Sequence, residues 1–397
     1  MSEAIPADWK QIPLEEFTTL QRGHDLTKTQ FRPGQVPVAG SNGIIGYHDT
    51  ALAKAPGITV GRSGSVGKIT IYKEDFWPHN TSLYVRDFHG NDPIFAGYLL
   101  KSLDLARFKT GASVPTLDRN SFKSLPVVIP PLREQQTIAE TLSTVERAIE
   151  AQERIIQTTT ELKQALMQKL FSEGVRGEPQ KMTEIGLVPE SWEVARLESV
   201  AKSFQYGTSV KCDYDVQGKP DLRIPNIIGG TIKISDLKFG NPKPNENKNL
   251  RLQPGDLLFV RTNGVKENAG RCSLFEGEIE DCYFASYLIR VRLDTYRLNP
   301  SFLNEYSRIE IGTSFLSGRA IRTADGKFNI NTGTLKTMLV PVPAIEEQEE
   351  IARVLALIDS KLTKARTRQS ELQELLRALL HELMTAKTRI HSTVFKV

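Results

Sequence analysis

Cysteine is scarce in this chain: three in 397 residues, at Cys212, Cys272 and Cys282. None forms a C-x-x-C pair and the six histidines are scattered, so the sequence offers no structural zinc site and points to a reducing compartment. Long apolar runs are missing as well. The longest, Val354 to Ile358, is far short of a membrane span. Met1 to Lys10 carries acids and Trp9 with no apolar run, unlike a secretory signal, and the expected location is cytoplasmic. Nor is there a strong charge of one sign. Lys and Arg number 51 against 47 Asp and Glu, a net of +4 that is too mild to indicate nucleic acid alone. By region the balance is +2 over residues 1–131, −2 over 132–173, +3 over 174–343 and +1 over 344–397. Positive excess thus flanks an acidic segment in a chain of otherwise ordinary folding composition, long enough for two or three domains of roughly 150 residues.

Catalytic motifs are also lacking. GRSGSVGK (61–68) resembles a phosphate loop, but the required first glycine falls on Arg62 and the residue after Lys68 is Ile69 rather than Ser or Thr. No G-x-S-x-G, H-E-x-x-H or [DN]-P-P-[YF] stretch is present, so the chain is not expected to methylate or hydrolyse by itself. Pro220-Asp221 followed by Glu246-Asn247-Lys248 fits the loose pattern of a metal-dependent nuclease. That chemistry needs the second carboxylate on a rigid strand, whereas NPKPNENKN reads as a turn-rich loop.

What the chain does contain is a repeat. LPVVIPPLREQQTIAETL (125–142) and MLVPVPAIEEQEEIARVL (338–355) align at a shift of 213, matching Pro130 with Pro343, Glu134 with Glu347, Gln135 with Gln348 and Leu142 with Leu355. At the fronts, IPADWKQIPLEEF (5–17) and VPESWEVARLESV (188–200) align at a shift of 183 through Pro6/Pro189, Trp9/Trp192 and Leu14/Leu197. Two matches in the same order make the chain two copies of one plan.

Each proline-rich stretch leads into a heptad seam. It runs from Ile138 through Leu142, Val145, Ile149, Gln152, Ile156, Thr159, Lys163 and Leu166 to Leu170, and 213 residues on from Ile351 to Leu383 in the same register. A helix from Leu132 to Ser172 would be about 60 Å long, too long to bury its seam in a small domain. The second copy supplies the partner. Chain order makes the pair antiparallel, with a globular segment at each end of a rod and a pseudo-two-fold between them. Polar seam residues (Gln152, Thr159, Lys163, Gln369) would penalise wrong registers. Apolar residues off the seam, among them Ile155, Leu162, Met167, Leu357, Leu375 and Leu380, suggest a docking surface.

The globular segments read as α+β. GSNGIIGYHD (40–49) is a glycine turn with a short strand, ITVGRSGSVGKITIY (58–72) is strand, glycine loop and strand, and Leu99–Phe108 is a short helix. PGDLLFVRTNGVKENAGRCSLF (254–275) repeats the strand–loop–strand plan with basic residues, and the late loop SGRAIRTADGKFNINTGTLK (317–336) is longer and more basic than its counterpart around Ser113–Asn120. Arg and Lys beside glycine turns present donors to phosphates or base edges.

This ordered set resembles the specificity (S) subunit of type I restriction–modification systems, over nearly the whole chain. It rests on SNGIIGYHD, VGRSGSVGKI, SVPTLDRNSFKSLPVVIPPLREQQTIAETL and the echo VPVPAIEEQEEIARVLALID. The second copy departs in lacking a clean SNGIIG. The resemblance implies two α/β target recognition domains (1–131 and 176–343), two long antiparallel coiled-coil spacer helices (132–175 and 344–388) and a tail (389–397). It implies a non-catalytic subunit of a methyltransferase/restriction complex. Each domain would read half of a bipartite, asymmetric sequence in double-stranded DNA. The helices would set the spacing and dock two methyltransferase subunits, which restriction subunits would join. S-adenosylmethionine, ATP and magnesium would sit on those partners, with no cofactor or metal on this chain. The expected DNA-binding residues are Ser41, Asn42, Arg62, Ser63, Lys68, Ser113, Thr116, Arg119 and Asn120 in the first domain. In the second they are Arg261, Asn263, Lys266, Arg271, Arg319, Arg322, Lys327 and Asn329. Expected partner-binding residues are Leu162, Met167, Leu375 and Leu380. The alternatives are a helical scaffold without DNA specificity, which predicts no salt-dependent DNA affinity, and the nuclease considered above.

Overall fold

The computed structural model describes residues 5–111 and 115–390. Two compact units divide the chain: residues 1–154 with 366–397, and residues 155–365. None of the helices among the described residues is long and apolar enough to cross a membrane.

In the first unit a four-stranded antiparallel sheet runs in the order Thr19–Arg22, Ser82–Asp87, Gly57–Gly61, Ile69–Tyr72. A smaller sheet pairs Gly43–His48 with Val36–Gly40, and Trp77–Pro78 joins it in parallel. The helix Pro93–Ser102 packs on the larger sheet. It begins earlier than the expected Leu99–Phe108 because Asp92 caps it, accepting a bond from the Phe95 amide, and Pro93 supplies a favourable first residue. A short turn of helix, Leu105–Phe108, follows separately. Phe17, Ile58, Val60, Phe95 and Leu99 form the core together with Ile138 and Leu142 of the first long helix and Leu383 of the second.

The second unit repeats this topology. Its four strands run Ala201–Tyr206, Leu288–Leu293, Asp256–Val260, Cys272–Phe275, and its small sheet runs Lys238–Gly240, Lys219–Leu222, Tyr283–Phe284, again with the last strand parallel. Thus the strand lacking an SNGIIG signature exists all the same. A hairpin of Gln180–Thr183 and Gly186–Pro189 is added. In both units the front of the copy pairs with its end, Lys10–Pro13 with Pro126–Ile129 and Glu193–Arg196 with Leu339–Val342.

The long helices span Leu132–Glu173 and Ile345–Met384. In each unit they run antiparallel: Glu153 accepts a bond from Gln369 in the first, and Lys163 meets Asp359 at 2.6 Å in the second. Every seam residue is buried or half-buried. Gly174, at φ 65°, ends the first helix in a conformation that suits a residue without a Cβ.

The repeated Glu-Gln pair fastens each domain to its helix. Gln135 accepts from the Asp92 amide at 2.9 Å and donates to the Pro130 carbonyl at 3.0 Å. Gln348 does the same with Asn299 (2.7 Å) and Pro343 (2.8 Å). Glu134 accepts from the Trp9 indole at 3.1 Å and from Arg389. Glu347 accepts from the Trp192 indole (3.3 Å) and the Val175 amide (3.0 Å), with Arg176 at 3.8 Å. Arg176 and Arg389 are themselves 213 apart. A buried carboxylate that loses such donors leaves them unsatisfied. Glu347 is 1% exposed and Glu134 10% at the side chain. Glu347→Ala should therefore lower the unfolding free energy by about 3 kcal/mol and Glu134→Ala by about half that, measured by denaturant unfolding. Equal losses would show that burial of the carboxylate is not the source of the effect.

Candidate nucleic-acid interface

The glycine loop of the first unit is held by its main chain. Gly61 donates to Lys68 O (2.8 Å), Gly67 to Gly61 O (2.8 Å), and Arg62 and Ser63 both donate to Thr81 O (2.9 and 3.1 Å). A Cβ on Gly61 would come within 2.0 Å of Ser65 O, and Gly64 and Gly67 have φ near +80°. Val66 packs against the domain core, Arg62, Ser63 and Ser65 are half-exposed, and Lys68 is exposed. Lys68 reaches the hairpin turn, donating to the backbone O and Oδ1 of Asn42, each at 2.8 Å. Ser41 is fixed by its amide bond to Thr81 Oγ1. Ser63 bridges to Thr116. Arg62, Thr116 and Arg119 line an open polar cavity of about 860 Å³ with Gln21, Arg22, His24, Asp25 and Arg86. Arg119 donates to Leu20 O, and Asn120 makes its local bonds to Asp118, which places Asn120 in a supporting turn. Ser113 lies outside the described residues.

Arg22 and Arg86 are cationic wall residues that motif reasoning missed. They stand at the exposed ends of Thr19–Arg22 and Ser82–Asp87, past the buried residues of each strand, and no motif or alternation in the sequence marks them.

In the second unit a small three-stranded sheet gathers part of the expected set: Thr262–Asn263 and Ile321–Arg322 flank Phe328–Asn329. Arg261 stacks over the Tyr206 ring, 4.7 Å from its centroid, and donates to Ser286 O. Tyr206 in turn accepts from the Thr332 amide at 3.1 Å. Asn329 Oδ1 is buried with no hydrogen-bond partner, an acceptor held in reserve. Lys327 pairs with Asp325 at 3.0 Å, and hydrogen bonds from Thr323 first and Lys327 second draw that carboxyl down to about 2. The remaining cations stand apart. Lys266 is exposed on a short turn, Arg271 donates to Asn268 and lines a separate small cavity, and Arg319 lies 3.9 Å over the Phe315 ring. Tyr206 and Tyr287, the latter 57% exposed, are the aromatic members that the charge-led sequence reading missed.

On the helices, Leu162 and Leu375 are 58% and 45% exposed and occupy equivalent positions, 213 apart. The other two are less accessible, and Met167 departs from the expected exposed position. Met167 is buried in the second unit's core, because the helix turns that side onto Phe171 and its surroundings, and Leu380 is half-buried against the first unit's core.

A family model described as type I restriction modification DNA specificity domain matches residues 6–160 and 189–374. The chain is 26% identical to the type I restriction enzyme MjaVIII specificity subunit of Methanocaldococcus jannaschii, over 98% of this chain and 95% of that one. It is 27% identical to the type I restriction enzyme EcoKI specificity subunit of Escherichia coli K12, over 88% and 82%. Among solved structures, a type I restriction–modification S subunit from M. genitalium shares the fold at a TM-score of 0.66 and 18% identity, covering 96% of each chain.

The nuclease pattern dissolves on structural grounds. Asp221 lies on Lys219–Leu222 and is 2% exposed; the matching strand of the first unit carries Val38 there. Its partner is the Cys212 thiol, which donates to Oδ2 at 3.2 Å. Glu246 belongs to a short helix, Pro244–Asn249, rather than the expected loop, and accepts from Thr208 and the Lys243 amide. No cluster of three or more His, Cys, Asp or Glu among the described residues is placed to hold a metal ion. Burial raises the Asp221 carboxyl to about 6 against an ordinary 3.8. The folded state therefore favours the protonated form, and its contribution is full below pH 4 and lost as pH rises through 6. Asp221→Asn should leave stability unchanged near pH 4 and raise it by about 2–3 kcal/mol at pH 8, in denaturant titrations at the two pH values. A gap that does not widen with pH would contradict the assignment.

Proposed function

Since the chain belongs to the family of type I restriction–modification DNA specificity subunits, we propose that each of its two units reads one half of a bipartite, asymmetric DNA target. The chain is the DNA-recognition subunit of a type I restriction–modification complex and is not itself an enzyme. One observation carries the two-half reading: the same sheet topology recurs while the outward side chains differ. The first unit offers Asn42, Lys68 and an arginine-lined cavity, and the second offers Tyr206, Arg261, Arg322 and Asn329. Identical scaffolds with different donors suit different base sequences, because phosphate contacts position a protein and base-edge contacts specify.

Methyltransferase and restriction subunits are the partners, with S-adenosylmethionine on the former and ATP with magnesium on the latter. Two methyltransferase subunits dock, one at Leu162 and one at Leu375, since the repeat presents the same exposed apolar group twice. The long helices set the distance between the half-sites.

Exchanging residues 1–131 for those of a relative should change one half of the methylated sequence and leave the other intact. Adding a heptad to both helices, after Arg154 and after Ala365, preserves the seam and lengthens each helix by about 10 Å. The gap should then grow by roughly three base pairs at about 3.4 Å each, read from the map of methylated bases. A change in both halves, or an unchanged gap, overturns the scheme. Leu162→Glu with Leu375→Glu should weaken methyltransferase capture at least tenfold without unfolding the chain. Full two-partner stoichiometry in sedimentation would remove these residues from the interface.

A further inference from the structure

Beyond the Glu-Gln pair, each recognition domain meets the long helices at a second polar seat, and the two seats differ in their chemistry. In the first unit Glu146 accepts from Tyr98 OH at 2.7 Å and from Lys101 Nζ at 2.7 Å. Leu376 of the second long helix lines the same recess. In the second unit Asp359 stands where the 213-residue shift places the equivalent of Glu146, and Lys163 stands where it places Leu376. The domain helices correspond at a shift of 207, through the caps Asp92 and Asn299 that both donate their amides to the conserved glutamines. That shift sets Glu305 at the place of Tyr98 and Arg308 at the place of Lys101. Lys163 Nζ lies 2.6 Å from Asp359 and 3.0 Å from Glu305, and Arg308 lies 2.7 Å from Glu305 and 3.8 Å from Asp359. Lys163 and Glu305 are 7% and 10% exposed at the side chain.

The exchange is correlated. Where the domain brings a tyrosine, the helix of the other copy brings a leucine. Where the domain brings a buried carboxylate, that helix brings a buried ammonium. In each seat the conserved acid comes from the helix that follows the domain, and the variable residue comes from the helix of the opposite copy. The pairing therefore tests whether a domain has met the other copy or another of its own kind.

We propose that Lys163 with Glu305, and Leu376 with Tyr98, form a two-part key that admits each recognition domain only to its own seat. A second domain placed on the first seat would bury Glu305 beside Glu146 and Leu376, two carboxylates with Arg308 alone to offset them where the native seat adds Lys163. A first domain placed on the second seat would leave Lys163 without Glu305. These residues are positioning residues. Their work is to keep unlike domains together, which the asymmetric target requires.

Two experiments on the full chain test this. In the native chain, Lys163→Leu and Glu305→Tyr should each raise the unfolding equilibrium constant for the second unit by about tenfold or more, and the double variant should reverse most of that rise. In a chain where the span Pro6–Pro130 is copied in place of Pro189–Pro343, the tyrosine-bearing domain faces Lys163. Amides of 155–173 and 345–365 should then exchange with deuterium at least tenfold faster than in the native chain. Adding Lys163→Leu should slow them again. The same substitution thus harms one chain and rescues the other, which a merely stabilising ion pair would not do. Loss in both chains, or no effect in either, overturns the key. If neither exchanged chain folds, the native-chain cycle decides: additive losses overturn the proposal, and recovery by the double variant upholds it. The inference rests on the family reading only for the consequence in DNA. Exchange rates report the seating directly, so a chain that seats as expected but methylates no split sequence would count against that reading and leave the key standing.

Discussion

A helix of 42 residues with a largely apolar seam has no stable existence in water until something covers the seam along its length. A small α+β domain covers only one end of it. The rest of the structure follows from how the chain meets that demand. It duplicates the helix and sets the duplicate alongside in the opposite direction, so that in each unit the start of one helix lies against the end of the other. Ile138, Leu142 and Leu383 share one core, and Leu170, Ile351 and Leu355 share another. Neither core is complete without a contribution from both copies. Duplication of the helix and duplication of the recognition domain are therefore one event energetically, since each domain core includes residues from both helices.

Fixed scaffolding and variable reading are separated in the chemistry. Scaffold contacts are buried and repeated: the indole bonds of Trp9 and Trp192, the glutamines that cap the loop before each domain helix, and the short pairing of each copy's first and last strands. The proposed reading groups are unrepeated and range from exposed (Lys68) to half-buried (Arg261, Asn329). Lys68 is parked on a neighbouring turn, and Arg261 rests on an aromatic ring. Such contacts are weak in water, so leaving them for a phosphate or base edge, as proposed, would cost these cations little.

The architecture was legible in the sequence because it is written twice. Shifts of 213 and 183 exposed the repeat, and the heptads exposed the helices and their need for one another. The Glu-Gln motif was visible too, but its role was not, since Glu134 and Glu347 bond indoles 125 and 155 residues away. Periodicity marked Met167 as off the seam, yet a third surface, the domain core, was there to bury it. The glycine turn that carries Arg62 and Lys68 was legible in the sequence as a turn. Arg22 and Arg86, which line one cavity in the first unit, and Tyr206 and Tyr287, which lie beside Arg261 in the second, were opaque because they come from ordinary strands and loops.

The Gly61–Lys68 loop is closed by backbone bonds and by glycines whose φ or crowding admits nothing larger. No side chain from 62, 63 or 65 takes part in closing it. Such a loop keeps its path whatever residues stand at 62, 63 and 65, so if it faces DNA as proposed, a lineage could rewrite the letters there without disturbing the frame that presents them. New recognition would then arise by single substitutions at a handful of outward positions, with the glycines as the unchanging margin of the page.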